Sequence, residues 1–393
     1  MKPKPSSAVL VALLFVEGYT VVALSSTPSA AVVRSVSTTK SLEDTGTQGT
    51  ASLRLQILLD QYPQAERYCQ VGPTKFGRGL IATQDLAPGA VALRVPLEYT
   101  IMEWDPHRDE DTWTGRLAHR LMNERMMQSP TSAINFDSPT SAILQAYTQA
   151  LPVPPSTPAR GDWPISVLQE FDSKQFVEQI QQTQIWRYQQ WENYCAGDHS
   201  MRQHFLDALD LVCSRAIRCG NRVLLVPLMD MANHASQPEG GGYFQIQSGE
   251  NSICLHVGER GVRQGKEITL DYGSRINEEW LLHYGFLPTR NSLERVTLPE
   301  TQRVVTWDDV RTQDTSLREA CQKYLQQAST TLEEDLRQLH IADTNGVDFR
   351  LQTAVQYRIN HKILLSAIAG QSQQSSTSFF FCPSLRPESV VKR

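Results

Sequence analysis

The order in which strand-like and helix-like sequence follow one another limits the architectures open to this chain: β-rich, helical, β-rich again, then helical to the end. Val91, Leu93 and Val95 fall at every second position, the period of a half-buried strand, behind a Pro88-Gly89 turn. Gly77 to Ala82 precedes them, and the two runs read together as a β-hairpin. Short apolar runs return at Val223–Val226 and Ile253–Val257, and Arg263 to Glu267 is a turn into a strand over Ile268 to Tyr272. Between the two β blocks, from Trp104 to Arg202, helical stretches (Arg116 to Met127, Lys174 to Tyr194) flank a Ser/Pro-rich section, Ser129 to Pro164, without sustained periodicity. A helical insertion is the simplest account. Met201 to Arg218 then sets Phe205, Leu209, Val212, Ala216 and Ile217 at helical spacing, a core-facing stripe. Ser52 to Asp60 and Ile276 to Tyr284 read as short helices.

Beyond Pro299 the pattern is helical. Leu317, Cys321, Tyr324, Leu325, Ala328, Leu332 and Leu336 share one broad face, and Leu351, Val355, Ile359, Ile363 and Leu364 form a second stripe. The tail from Ser372 is polar apart from Phe379-Phe380-Phe381. The expected organisation is α+β: a leader (1–50), a β-rich domain in two parts (51–103 and 203–299) around a helical insertion (104–202), and a helical C-terminal domain (300–393).

Composition narrows the function. Lys and Arg number 37 against 42 Asp and Glu, a net charge of −5, which argues against a chain built to bind nucleic acid. The 7 cysteines are scattered and contain no C-x-x-C pair, so neither a zinc site nor a disulfide framework is indicated. At the N-terminus, Lys2 and Lys4 precede an apolar run from Ala8 to Val16, too short to cross roughly 30 Å of hydrocarbon but suited to a signal-peptide core. Leu24 to Leu42 is rich in Ser, Thr and Ala, carries Arg34 and Lys40, and holds no acid before Glu43, like a transit peptide. A signal followed by a transit-like segment resembles two-part leaders that route proteins into plastids; the secretory pathway and the mitochondrion are the alternatives.

Four segments in order carry a specific resemblance. They are Lys75 to Thr83 with Leu86-Ala87-Pro88-Gly89 and Arg94-Val95-Pro96; Cys213-Ser214-Arg215-Ala216; Val226 to His234; and Gly265 to Gly273 followed by Asn277 to Phe286. Each is weak alone, but the ordered set resembles the SET-domain methyltransferases of the Rubisco lysine methyltransferase type. The resemblance implies a pseudoknotted β-rich SET domain, S-adenosyl-L-methionine as cofactor, no metal, and a lysine of a protein partner as substrate. It implies further that the backbone at Phe76, Gly77 and Arg78 lies along the cofactor. Arg215 would hold its carboxylate, and Asn233 and His234 its adenine edge. Asp230 shares their loop, Tyr284 and Phe286 border the cofactor, and Tyr272 is the catalytic residue. Tyr243 is either a wall of the lysine channel, through cation–π contact, or an exposed strand tyrosine.

The chain departs from the pattern in places. Ala235 follows His234 where histone-modifying relatives commonly carry a cysteine, which disfavours a chromatin role. An unusual tryptophan, Trp280, follows Asn277-Glu278-Glu279. Histidine methylation on the same fold and a non-catalytic SET-like interaction module remain as alternatives, and the sequence leaves the substrate protein and the oligomeric state open.

Overall fold

The computed structural model describes residues 45–61, 65–104, 110–126, 138–247, 249, 251–288, 291–345 and 348–370. The leader read over 1–50, except its last residues, and the tail with its three phenylalanines lie outside the described residues.

In chain order the elements are α1 (Thr45–Asp60), β1 (Glu66–Arg67), β2 (Cys69–Thr74), β3 (Gly77–Ala82), β4 (Val91–Pro96), β5 (Ile101–Trp104), α2 (Glu110–Met126) and α3 (Pro139–Ala150). Then come α4 (Ile165–Gln169), α5 (Lys174–Cys195), α6 (Arg202–Arg215), β6 (Ile217–Cys219), β7 (Arg222–Leu225), β8 (Tyr243–Gln247), β9 (Ser252–His256) and β10 (Glu267–Ile268). The rest are α7 (Asn277–Tyr284), β11 (Arg295–Thr297), β12 (Val304–Thr306), α8 (Thr315–Gln327), α9 (Leu332–Asn345) and α10 (Phe349–Ala369). They form two compact units. The first holds the described residues up to Arg160 together with Gln181–Ser274; the second holds Gly161–Ile180 and the described residues from Arg275 onward.

Three small sheets, ordered β1-β4-β9-β8, β10-β3-β2 and β5-β7-β6, make the β part of the first unit. Their inward residues, among them Leu80, Leu93, Val95, Leu224, Leu255 and Ile268, share one core with Leu117 and Leu121 of α2, Tyr147 of α3 and Phe205 and Leu209 of α6. Gly77–Ala82 and Val91–Pro96 do not pair as the expected hairpin. β3 pairs with β2, in register from Thr74↔Gly77 to Cys69↔Ala82, while β4 pairs with β1 and β9. The tight turn is Lys75-Phe76, closed by Gly77 at φ +101°. Leu86, between β3 and β4, exchanges backbone hydrogen bonds with Val262 (2.7 and 2.9 Å) and so carries the chain across to another sheet. Alternation identifies a strand, not its partner.

Two further readings are corrected. The helical stripe over Met201 to Arg218 stops at Arg215; Ala216 is extended (ψ 135°) and Ile217 starts β6 opposite Leu224. Ile217 is buried, and burial alone does not distinguish helix from strand; pairing with β7 does. The Ser/Pro-rich section also contains a helix, α3. Ser138 caps it by accepting from the Ser141 amide, Pro139 stands in its first turn, and Ile143, Ala146, Tyr147 and Ala150 form its buried stripe.

A crossing of chain segments organises this unit. Leu270 donates its amide to the Asn233 carbonyl (2.9 Å) and accepts from the Ala235 amide (3.2 Å). On the other side, the Gly242 amide donates to Thr269 (2.9 Å) and its carbonyl accepts from Asp271 (2.9 Å). Thr269–Asp271 is therefore threaded between two parts of the 233–242 loop, with parallel bridges to both. This is the pseudoknot that the resemblance implied. It requires glycine: a Cβ on Gly241 would stand 2.0 Å from the Ala235 carbonyl oxygen, and one on Gly242 2.2 Å from that of His256. The Gly240-Gly241-Gly242 run is the sequence signal for this crossing.

In the second unit, α7 ends at Gly285 in the left-handed conformation, and a two-stranded hairpin, β11–β12, precedes the helices. The face read as continuous from Leu317 to Leu336 breaks at Ala328 (ψ 146°), and α9 restarts behind a Thr331/Glu334 capping box. Val296, Val305, Leu317, Cys321, Leu364 and Ile368 form one core, and Phe171, Phe176 and Tyr357 pack edge-on and stacked in another cluster. Trp280 is buried, its ring 5.1 Å from that of Tyr284 and 5.3 Å from that of Phe286. That packing accounts for the unusual tryptophan.

A buried polar cluster joins α7, the segment before β11, and α10. Tyr357 donates to Glu278 (2.9 Å), Asn277 donates to Glu294, and His361 Nε2 stands 3.3 Å from Glu294 Oε1. The last distance is that of an ion pair, yet burial disfavours the charged form of both partners. It pushes the His361 pKa down to about 3, and burial with the Glu278 charge pushes Glu294 well above the usual carboxylate range.

Two outcomes follow from these contacts. Gly242→Ala must displace backbone rather than a side chain, and should lower stability by about 1–3 kcal/mol in denaturant unfolding, against little change for Gly249→Ala, which meets nothing within 4 Å. Because the folded state holds the Glu294 proton more tightly, its contribution is complete below the unfolded carboxylate pKa of about 4.3 and is lost as pH rises through the folded value. The melting temperature of Glu294→Gln relative to the parent should therefore rise progressively between pH 5 and 8. A gap independent of pH would show Glu294 to be ionised when folded.

Candidate active site

The threaded crossing brings together residues far apart in the chain. Tyr272 follows directly on Thr269–Asp271. Its hydroxyl donates to the Ala232 carbonyl at 2.7 Å, its amide donates to His234 Nδ1 at 3.3 Å, and the two rings lie 5.2 Å apart. The backbone ladder here uses the Asn233 carbonyl and the Ala235 amide, on either side of His234.

The Asn233 side chain bolts this loop to the β2–β3 hairpin. Its Nδ2 lies 3.1 Å from Thr74 Oγ1, 3.1 Å from the Arg78 carbonyl and 2.7 Å from Glu267 Oε1. An amide has two N–H donors, so the three acceptors share them. Gly79 stands beneath: a Cβ there would be 2.8 Å from both Asn233 Nδ2 and Glu267 Oε1. The Arg78 guanidinium reaches Ser52 Oγ (3.0 Å) and the Ala150 carbonyl (3.1 Å), tying the hairpin to α1 and α3. Phe76 at the tip is 48% exposed, with Lys75 Nζ 4.5 Å from its ring centroid.

Arg215 ends α6, where a cation also meets the negative end of the helix dipole. Its Nη1 donates to the Asp230 carbonyl at 2.5 Å and lies 3.8 Å from Asp230 Oδ2. The Asp230 side chain is fully buried and accepts from the Tyr147 hydroxyl at 2.7 Å. Burial raises the Asp230 pKa, opposed first by Arg215 and then by the Tyr147 hydrogen bond.

Of the expected site residues, the first unit thus places Gly77, Arg78, Asn233, His234 and Tyr272 about the crossing, Asp230 on the turn leading into it, and Arg215, at the end of α6, against that turn. Phe76 is at the exposed hairpin tip. Tyr243, on β8, is 40% exposed and stacks on His256, with centroids 4.9 Å apart and planes 5° apart. Tyr284 and Phe286 belong to the second unit and to the Trp280 cluster, with Arg275 lying 5.5 Å from the Tyr284 ring centroid. Sequence reasoning missed Tyr147, Thr74 and Glu267. The first was readable from the apolar stripe of α3; the others are ordinary strand residues until the fold pairs them with Asn233.

These residues fit a nucleoside with a carboxylate-bearing tail. Arg215 Nε and Asp230 Oδ1 are buried without a hydrogen-bond partner among the described residues, leaving a guanidinium donor for an anion. At Gly77 nothing described lies within 4 Å of the position a Cβ would take, so a ligand can approach the main chain there. No group of three or more His, Cys, Asp or Glu among the described residues is placed to hold a metal, and no described helix is long and apolar enough to cross a membrane.

Known proteins share this fold. The SET domain of LSMT bound to lysine and AdoHcy superimposes with a TM-score of 0.58 at 17% identity, over 82% of this chain and 91% of that one. Rubisco LSMT bound to AdoMet gives 0.57 at 19% identity over the same shares. In sequence, the actin-histidine N-methyltransferase of Canis lupus familiaris is 38% identical over 81 residues, and that of Homo sapiens 37%. The match spans 20% of this chain and only 13% of the length of those relatives. The SET domain family model matches residues 77–273, half of the chain, including β3, Arg215, the Asp230–His234 loop and the segment threaded through it, and the chain belongs to the SET-domain family.

Proposed function

We propose that the protein is an S-adenosylmethionine-dependent N-methyltransferase acting on a lysine side chain of a non-histone protein. The observation that carries this reading is the position of Tyr272, whose hydroxyl is fixed on the Ala232 carbonyl beside Asn233 and His234. S-adenosylmethionine supplies an electrophilic methyl carried on a sulfonium. Arg215, with its leftover Nε donor, suits the carboxylate of that molecule, and the Gly77 backbone suits close approach. Tyr272 gives its one hydroxyl hydrogen to Ala232, so its oxygen can act toward an incoming amine as an acceptor that aims the nitrogen lone pair. It need not act as a base. A lysine must be neutral to attack, against an ordinary pKa of about 10.4, and desolvation beside the half-buried Tyr272 disfavours the ammonium form.

Histidine is the second reading, favoured by the local similarity to actin-histidine N-methyltransferases. An imidazole is already largely neutral at pH 7.5. The composition of the leader supports a plastid destination; a fluorescent fusion of residues 1–50 that remains outside plastids would redirect the search to the mitochondrion or the secretory pathway.

Labelled S-adenosylmethionine incubated with an organelle extract, followed by mass spectrometry of the labelled protein, should show the methyl group on lysine; label confined to histidine establishes the second reading. A chain giving no calorimetric heat with S-adenosylhomocysteine is instead a non-catalytic module. Tyr272→Phe should lower kcat by about 10²-fold or more with donor affinity within about twofold, and unchanged turnover would remove Tyr272 from the chemistry. Arg215→Ala should weaken S-adenosylhomocysteine binding by about 10- to 100-fold.

A further inference from the structure

Tyr147 takes no part in the chemistry above, yet it is bonded to the residue that holds Arg215. It sits on α3, with its side chain fully buried, and its hydroxyl donates to Asp230 Oδ2 at 2.7 Å. On its other side Asp230 meets Arg215, through its carbonyl at 2.5 Å and its carboxylate at 3.8 Å. The three form a chain, Tyr147 to Asp230 to Arg215, leading from the inserted helical stretch to the guanidinium.

Two observations show that this chain bears on geometry and not only on packing. A carboxylate with no exposed surface is strongly unfavourable unless paired, and Tyr147 and Arg215 supply the pairing. The Tyr147 phenol is pushed well above its ordinary pKa, by burial first and by the Asp230 charge second, so it remains a donor throughout the physiological range. The backbone gives the second observation. Asp230 stands in a short 3-10 turn, Met229–Met231, directly after Leu228, a fully buried leucine at φ +65° and ψ −39°. A non-glycine residue in that region costs about 1–3 kcal/mol and persists where the surroundings over-determine it. Tyr147 from α3 and Arg215 from α6 both grip the turn that this strained residue begins. The Asn233-His234 segment follows at its other end.

We infer that Tyr147 is a positioning residue: acting through Asp230, it sets the Arg215 guanidinium, and with it the recognition of the carboxylate end of the methyl donor. The inference rests on the proposed function, since it concerns how the same site takes its donor. It makes the inserted stretch part of donor recognition. It also predicts selectivity: loss of the Tyr147 hydroxyl should weaken ligands that carry the amino-acid carboxylate and spare those that lack it. A role confined to stability would move both alike.

Calorimetric titration of the full chain with two probes tests this. S-adenosylhomocysteine carries the carboxylate; 5′-methylthioadenosine keeps the thioadenosine and lacks the amino-acid end. Tyr147→Phe, which keeps the ring, should weaken S-adenosylhomocysteine by about 10-fold and 5′-methylthioadenosine by less than about twofold. Asp230→Asn should give the same selective loss. The double variant should be no worse than the stronger single one, because both changes interrupt one chain of contacts. Equal losses for the two probes, or none for either, overturn the inference. Should Tyr147→Phe fail to fold, the probe ratio of Asp230→Asn decides alone. A parent chain that binds 5′-methylthioadenosine and S-adenosylhomocysteine equally well shows that Arg215 takes no carboxylate, and one that binds neither removes the methyl-donor reading together with this one.

Discussion

The passage of Thr269–Asp271 between Asn233–Ala235 and Gly242 is the constraint on which the rest of the first unit depends. Four backbone hydrogen bonds fix it. They are made possible by glycines whose missing Cβ atoms leave room for carbonyl oxygens at 2.0 and 2.2 Å from where those atoms would lie. Threaded segments are rare because a chain seldom passes through its own loop during folding. Here each strand end is anchored separately, Glu267 and Ile268 on β3 and Tyr243–Gln247 on β9, so the crossing is held from both sides. Tyr272 inherits its position from it.

Polar side chains then convert the crossing into a site. Asn233 is a structural bolt, since its amide joins the loop to Thr74, the Arg78 carbonyl and Glu267. Arg215, Asp230 and Tyr147 do comparable work at the neighbouring turn, with burial raising the cost of every unmet hydrogen bond and thus sharpening the geometry. The interior of the second unit takes a different course. Burial disfavours the charged forms of Glu294 and His361, while Asp335 stays with the cations Arg358 and Lys362 at 2.8 and 2.6 Å.

Much of the architecture was legible in the residues. Alternation locates β4, a short apolar run locates β9, helical stripes locate α6 and α10, and the four ordered segments point to the SET family. What was misread has a common cause. Apolar periodicity reports that a residue is buried and says little about what buries it, so from sequence β4 reads as the partner of β3 and Ile217 reads as helical. The helix α3 is hidden in the sequence because prolines and serines dominate its flanks, although Ser138 and Pro139 are the cap that starts it. Trp280 had no rationale until Tyr284 and Phe286 closed around it.

By itself the sequence determined which residues are of the kinds that methyl transfer needs and the order in which they come, because residue type and local spacing are properties of the chain. Only the tertiary structure decided which of them meet. Asn233 and the Arg78 carbonyl are 155 positions apart, and Tyr147 and Asp230 are 83 apart. At such separations loop-closure entropy opposes contact whatever the local preference. The threading, the glycine clearances and the buried hydrogen bonds overcome that opposition together, as one cooperative packing that no single segment encodes.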